Sequence, residues 1–119
     1  MKKLHFYDII KVMKKILTSY DSELSYGMSL VVQKNYIEAK KIFKNLTTVD
    51  SKRYEAYLNL SNIESILNNF DKSEKILKKF LNKNIYNRFI VEALANLYFN
   101  ISDKKKLKFL INYYLDIKE

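Results

Sequence analysis

An all-α stack of three helix hairpins is the fold this chain predicts, and two observations carry it. Gly27 is the only glycine among 119 residues and there is no proline, so the residues that punctuate sheets, tight turns and phosphate loops are almost missing. Long helices joined by short polar turns remain. The second observation is a recurrence every 34 residues, visible when Leu24-Ser25-Tyr26-Gly27-Met28 is set against Leu58-Asn59-Leu60-Ser61-Asn62; self-similarity at such a period marks a stacked repeat.

Gly27, Ser61 and Ala95 fall at one position of this frame. All are small, as needed where the two helices of a hairpin cross closely. Tyr36 matches Phe70, Ala39 matches Ser73 and Leu107, Phe43 matches Leu77 and Ile111, and Leu46 matches Phe80 and Tyr114. Within the first copy, Leu24, Leu30 and Val31 define a first helix, and Tyr36, Ala39, Ile42, Phe43 and Leu46 a second, by their helical spacing. Asn35, Asn69 and Ser102 stand where a side-chain oxygen caps each second helix, and Asp50 with Ser51 precedes the next hairpin. The frame divides one domain, 1–119, into a leading helix over 4–19 and hairpins over 20–53, 54–87 and 88–119, about seven helices in all. The third copy fits least well: Lys104 replaces an aromatic and Leu107 a small residue, so this hairpin is expected to splay or to cap the array.

The strings Asn35-Tyr36-Ile37-Glu38-Ala39-Lys40-Lys41-Ile42-Phe43 and Asn69-Phe70-Asp71-Lys72-Ser73-Glu74-Lys75-Ile76-Leu77 resemble the start of the second helix in the tetratricopeptide repeat family. The resemblance covers roughly residues 20–119. It implies a right-handed superhelical stack whose first helices line a concave groove. In this chain those positions are Leu24, Met28 and Val31, then Leu58, Asn62 and Ser65, then Glu92, Asn96 and Phe99, a mostly apolar surface with amides in the middle. Such a groove suits an extended or short helical segment of a partner protein, with Asn62 and Asn96 able to donate to and accept from its backbone. Leu24 and Met28 stand where the family's carboxylate clamp for chaperone C-termini places lysine and asparagine, so an apolar ligand is expected instead.

Ahead of the repeats, Phe6, Ile9, Ile10, Met13, Ile16, Leu17 and Tyr20 share one face of a helix, with Lys11, Lys14 and Lys15 largely opposite. The open end of a solenoid exposes apolar surface, which favours this helix as a cap on the first hairpin; coverage of Leu24, Met28 and Leu58 by it is the alternative to an open groove. Self-association through Phe6, Ile9, Met13 and Ile16 is the second use of such a stripe, and lying on an anionic membrane surface the third.

The formal charge is +9, from 22 Lys and Arg against 13 Asp and Glu, enough to attract anionic partners. Only Arg53 and Arg88 are arginines, however, whereas nucleic-acid readers lean on the arginine fork. Codon bias and solvated helix faces account for the charge, and nucleic acid is the lesser reading. The run Lys104-Lys105-Lys106 reads as a solvated first turn, and Tyr7, Tyr54, Tyr57, Tyr113 and Tyr114 read as core or interface aromatics rather than base-stacking platforms.

The usual enzyme classes lack their parts. His5 is the only histidine, cysteine is absent, and Gly27 stands alone, so a histidine-based triad, a zinc site and a phosphate loop all have nothing to build from. Acid pairs such as Asp21 with Glu23, or Glu55 with Glu64, read as partners of neighbouring lysines. No cofactor or metal is expected. Asp8, Lys11, Lys14 and Lys15 interrupt any secretory or membrane-spanning apolar run, and the chain is read as cytoplasmic. Three repeats behind a leading helix resemble the small chaperones of bacterial type III secretion, to which Tyr36 to Asp50 is similar. That resemblance implies a groove holding an aggregation-prone export substrate before delivery. A general scaffold or assembly factor, and a basic adaptor on RNA or membrane, are the competing roles.

Overall fold

A computed structural model describes residues 5–84 and 86–118, leaving aside the side chains of 13–18 and 115–118. Six helices follow one another: α1 (Phe6–Val32), α2 (Tyr36–Val49), α3 (Glu55–Ile66), α4 (Phe70–Lys83), α5 (Arg88–Asn100) and α6 (Lys104–Lys118). All the helical segments expected from the sequence are helical, but the leading segment and the first helix of the first hairpin run on as one. Thr18-Ser19-Tyr20-Asp21-Ser22 offers neither glycine nor proline to break it. The expected cap folded over the first hairpin is therefore not formed. At 1.5 Å per residue, the 27-residue α1 outreaches the 14-residue α2 by about 20 Å. Leu4 and the side chains of Met13 and Ile16 lie outside the described residues.

The turn inside each hairpin repeats the 34-residue period in its backbone. Lys34, Asn68 and Ser102 take φ of 61°, 63° and 59°. In each, the next residue's N–H returns five residues to a carbonyl, Asn35 to Leu30 at 2.8 Å, Asn69 to Glu64 at 2.7 Å and Asp103 to Tyr98 at 2.9 Å. These are Schellman closures, which need a left-handed residue and usually use glycine. Here Lys, Asn and Ser accept the strain, and the paired carbonyls offset it.

This geometry corrects the expected caps. The side chains of Asn35 and Asn69 make no capping bond; their N–H groups close the preceding helix instead. Ser102 is the left-handed residue itself, and Asp103 caps α6, its Oδ1 accepting from the Lys106 N–H at 3.1 Å. Asp50 Oδ1 accepts from the Lys52 N–H within its own turn, and α3 begins without a side-chain cap. Asn87 caps α5 by accepting from the Ile90 N–H at 3.1 Å.

The hairpins α1/α2, α3/α4 and α5/α6 stack as a right-handed superhelix. First helices approach their neighbours closely, α1 with α3 and α3 with α5, whereas the backbones of α2, α4 and α6 stay further apart, α4 and α6 being linked by the Glu74–Lys106 pair. The layer whose helices approach closely is the inner, concave one. Tyr20, Leu30, Ala39, Phe43, Leu46, Ala56, Leu60 and Ile63 form a core between α1, α2 and α3. Tyr57, Leu77, Phe80, Ile90, Leu94, Leu97, Tyr98 and Leu110 form the next one, between α3 and α6. Phe43 and Leu77 are fully buried because the following hairpin covers them, whereas the matching Ile111 is 46% exposed on the outer side of α6.

The small positions have a measurable cause. A Cβ added to Gly27 would lie 2.6 Å from Phe43 Cε1 and 2.8 Å from its Cζ. At the matching site Ser61 is buried, its hydroxyl donating to Leu58 O at 2.9 Å, while its own carbonyl accepts from the Ser73 hydroxyl at 3.0 Å. Arg53 ties α1 to α3: it pairs with Asp21 at 2.9 Å and Glu55 at 2.8 Å, and its guanidinium lies 3.8 Å from the centre of the Tyr20 ring. Glu64, only 2% exposed, is 2.6 Å from the Lys40 ammonium. Burial pushes its carboxyl up, but Lys40 overrides this and holds it below the usual carboxylate range.

Alanine at an open helical glycine gains about 1 kcal/mol, yet Gly27→Ala is expected to lose about 1–3 kcal/mol, because buried Phe43 has nowhere to move. A thermal melt followed by circular dichroism gives the sign. Glu64 has a folded pKa below its unfolded one, so its stabilising contribution is complete above the unfolded value and is lost as pH falls through the folded one. Urea midpoints measured from neutral to acid pH should show that fall in the parent, and a smaller one in Glu64→Gln.

Candidate functional site

The concave layer carries a cleft between α3 and α5 of about 350 Å³. Leu58, Asn62 and Ser65 line it from α3, and Phe89, Glu92, Ala93, Asn96, Leu97 and Asn100 from α5, with Ser61 and the α4 residues Phe70, Ser73 and Leu77 completing the wall. Stacking at a 34-residue period puts Asn62 and Asn96 at matching places on adjacent helices, both exposed. Their amides are free to bond in either sense to a backbone laid across them. Ser65 is committed, its hydroxyl donating to the Ser73 hydroxyl at 2.9 Å. Glu92 accepts from Arg88 Nε at 2.8 Å one turn away, both exposed.

Five of the nine groove residues expected from the sequence thus share one cleft: Leu58, Asn62, Ser65, Glu92 and Asn96. The other four do not line it. Leu24 and Val31 are half-buried and pack on the first core, because on α1 these positions turn toward α2. Met28 is 47% exposed and Phe99 73% exposed; both stand free at the surface. The cleft is also more polar at its mouth than expected, since Asn62, Glu92, Asn96 and Asn100 are all exposed there. At the far end of α1, Phe6 and Ile9 are 78% and 42% exposed, joined by Tyr7, Ile10 and Val12. That apolar surface has no cover from the chain's own hairpins.

A second, larger cleft, about 610 Å³, opens on the opposite side of the stack, between α4 and α6 over α5. Leu81, Leu94 and Leu110 lie among its lining residues together with Tyr98, Phe109, Tyr113 and Tyr114, and Lys78, Lys105 and Lys106 with Asn82 complete it. Phe109 and Tyr113 stack at 6.3 Å and Tyr113 meets Tyr114 edge-on at 5.0 Å. Behind this wall Glu74 accepts from the Tyr98 hydroxyl at 2.5 Å and pairs with Lys106 at 3.1 Å and Lys78 at 3.5 Å. Burial alone would raise the Glu74 carboxyl, but Tyr98 and Lys106 hold it below the usual range. Burial and then Glu74 push the Tyr98 phenol up. The signal for this cleft was the lysine run 104–106 followed by aromatics at helical spacing, which by itself reads as a solvated turn and a packed face.

Among the described residues no three His, Asp or Glu side chains gather as a metal site would require. No helix among them is long and apolar enough to cross a membrane.

No family model matches the chain, and no curated protein matches its sequence. Among solved structures it is similar to the type III secretion translocator chaperone SycD of Yersinia enterocolitica, solved in an alternative dimer form. The TM-score is 0.68 over 78% of this chain and 70% of that one, at 13% sequence identity. At that identity the likeness is one of fold.

The two exposures on α1 separate structure from surface. Leu24→Ala should cost about 2 kcal/mol as a half-buried core contact is lost, while Met28→Ala should stay within about 0.5 kcal/mol. Urea denaturation of both variants checks this, and equal losses would place Met28 in the core.

Proposed function

We propose that this chain is a protein-binding helical repeat of tetratricopeptide type that holds an apolar segment of a partner protein against its concave face, as a cytoplasmic chaperone does. The observation that carries this reading is the cleft between α3 and α5, where Asn62 and Asn96 stand exposed on adjacent helices above Leu58, Phe70, Leu77 and Leu97. Amides at the mouth satisfy the backbone of a bound segment, and apolar side chains enter between them. Exposed Met28 and Phe99 extend the apolar contact toward the two ends of the layer. Such burial removes from water a surface that would otherwise self-associate.

The fold it shares with a translocator chaperone supports a role in type III secretion, with a translocator or needle subunit as client. A scaffold within a larger assembly uses the same face. The exposed stripe of Phe6 and Ile9, continued in sequence by Met13 and Ile16, fits a homo- or hetero-oligomeric contact through the projecting part of α1.

The test is capture from the native organism by the tagged chain at low and high salt, with Met28→Glu and Asn96→Arg beside it. Both positions are exposed, so helicity and melting should be unchanged. A small export-class protein retained at high salt and reduced at least tenfold by each variant is expected, because apolar contacts persist where ionic ones are screened. Recovery only of RNA or lipid that washes off with salt, indifferent to both variants, would overturn the reading.

A further inference from the structure

We infer that the cleft between α4 and α6 is a second binding site, for an acidic peptide segment that carries an apolar anchor, on the face opposite the concave one. Charge distinguishes the two faces. The concave cleft is lined by Glu92 and by no lysine or arginine, whereas Lys78, Lys105 and Lys106 line the other cleft without a single acid.

Glu74 is the carboxylate that Lys78 and Lys106 share. Two ammonium groups on one carboxylate leave positive charge over, and Lys105 adds to it with no ion-pair partner among the described residues. Asp103, just before α6, caps the helix start, and it and Asp71 lie near enough to act on Lys106, yet neither lines the cleft. Three lysines at the start of α6 oppose the helix dipole, and an anion seated there relieves that repulsion. The ligand must therefore bring carboxylates.

It must also bring carbon. Phe109 is 73% exposed and Tyr113 52% exposed, the two rings stacked beside a volume of about 610 Å³ to which Leu110 contributes. An aliphatic or aromatic side chain fills such a space and covers these rings. A second copy of this chain does not suit it, since each copy carries +9 and would bring the same lysines. Single-stranded nucleic acid suits it less than peptide. Both arginines are committed, Arg53 to Asp21 and Glu55, Arg88 to Glu92, and of the cleft's side chains Asn82 alone offers an amide for a base edge.

The test uses the full chain and a fluorescein-labelled synthetic peptide in which glutamates flank a Leu-Phe pair, followed by fluorescence anisotropy. Its comparators are the same peptide with lysine for glutamate, an oligouridine, and vesicles of phosphatidylcholine with phosphatidylglycerol. Saturable binding of the acidic peptide alone is expected, weakened about tenfold by Lys105→Glu and by Phe109→Ser, and unchanged by the concave variant Asn96→Arg. Both substituted positions in the cleft are exposed, so a melting curve matching the parent confirms that folding is kept. No saturable binding, indifference to Lys105→Glu and Phe109→Ser, or tighter binding of oligouridine or vesicles with the same dependence on them would each overturn the proposal. Loss through Asn96→Arg instead would assign the peptide to the concave face.

Discussion

Everything in this molecule hangs on α3, which packs against four neighbours, α1, α2, α4 and α5. It packs on α1 and α2 through Ala56, Leu60 and Ile63, and Tyr57 reaches the opposite way into the second core. Helices with a single apolar stripe can be peeled from a stack without emptying its interior. A helix that contributes to two cores cannot. Because α3 is shared, the two cores are one cooperative structure despite drawing on different hairpins, and nearest-neighbour coupling of this kind is how short solenoids stay folded.

Packing α3 against four helices also buries polar groups, Ser61 and Glu64 on α3 itself and Ser73 on α4. Ser61 and Ser73 spend their hydroxyls on backbone carbonyls. Glu64 rests on Lys40. Such groups add little net stability, since each exchanges water for a protein partner, but leaving one unpaired costs more than making the bond gains. They therefore bind α3 to α4 and α2 in one register, where leucines alone would tolerate sliding.

Two faces of opposite character result. On the inner layer, first helices approach closely and leave a shallow cleft edged by amides and one carboxylate. On the outer layer, the backbones of α4 and α6 stand apart, bridged by Glu74 and Lys106, and a cleft floored by α5 opens between them under a rim of lysines. The same spreading that curves the stack creates the outer cleft. A charge of +9 that looks uniform in the composition is thus concentrated, in part, around one opening.

How much of this is legible in the residues depends on whether the cause is local. The three hairpins, the small positions Gly27, Ser61 and Ala95, and the pairing of Asn62 with Asn96 follow from a 34-residue spacing, since identical helices stacked at a fixed rise bring equivalent residues together. The caps did not follow: an αL residue at Lys34, Asn68 and Ser102 uses the backbone to close each turn, and side-chain preference at Asn35 and Asn69 is silent on that. Nor does spacing distinguish Leu24, turned into the core, from Met28, left outside, because the facing of an end helix depends on having a neighbour on one side only. Sequence alone determined the periodic helix hairpins and their touching first helices, because these are set by interactions within and between adjacent repeats. Only the tertiary structure decided that the first part of α1, with Phe6 and Ile9, stands exposed beyond the first hairpin and that lysines and aromatics from α4, α5 and α6 meet around one cleft, because both depend on how separate helices lie in space.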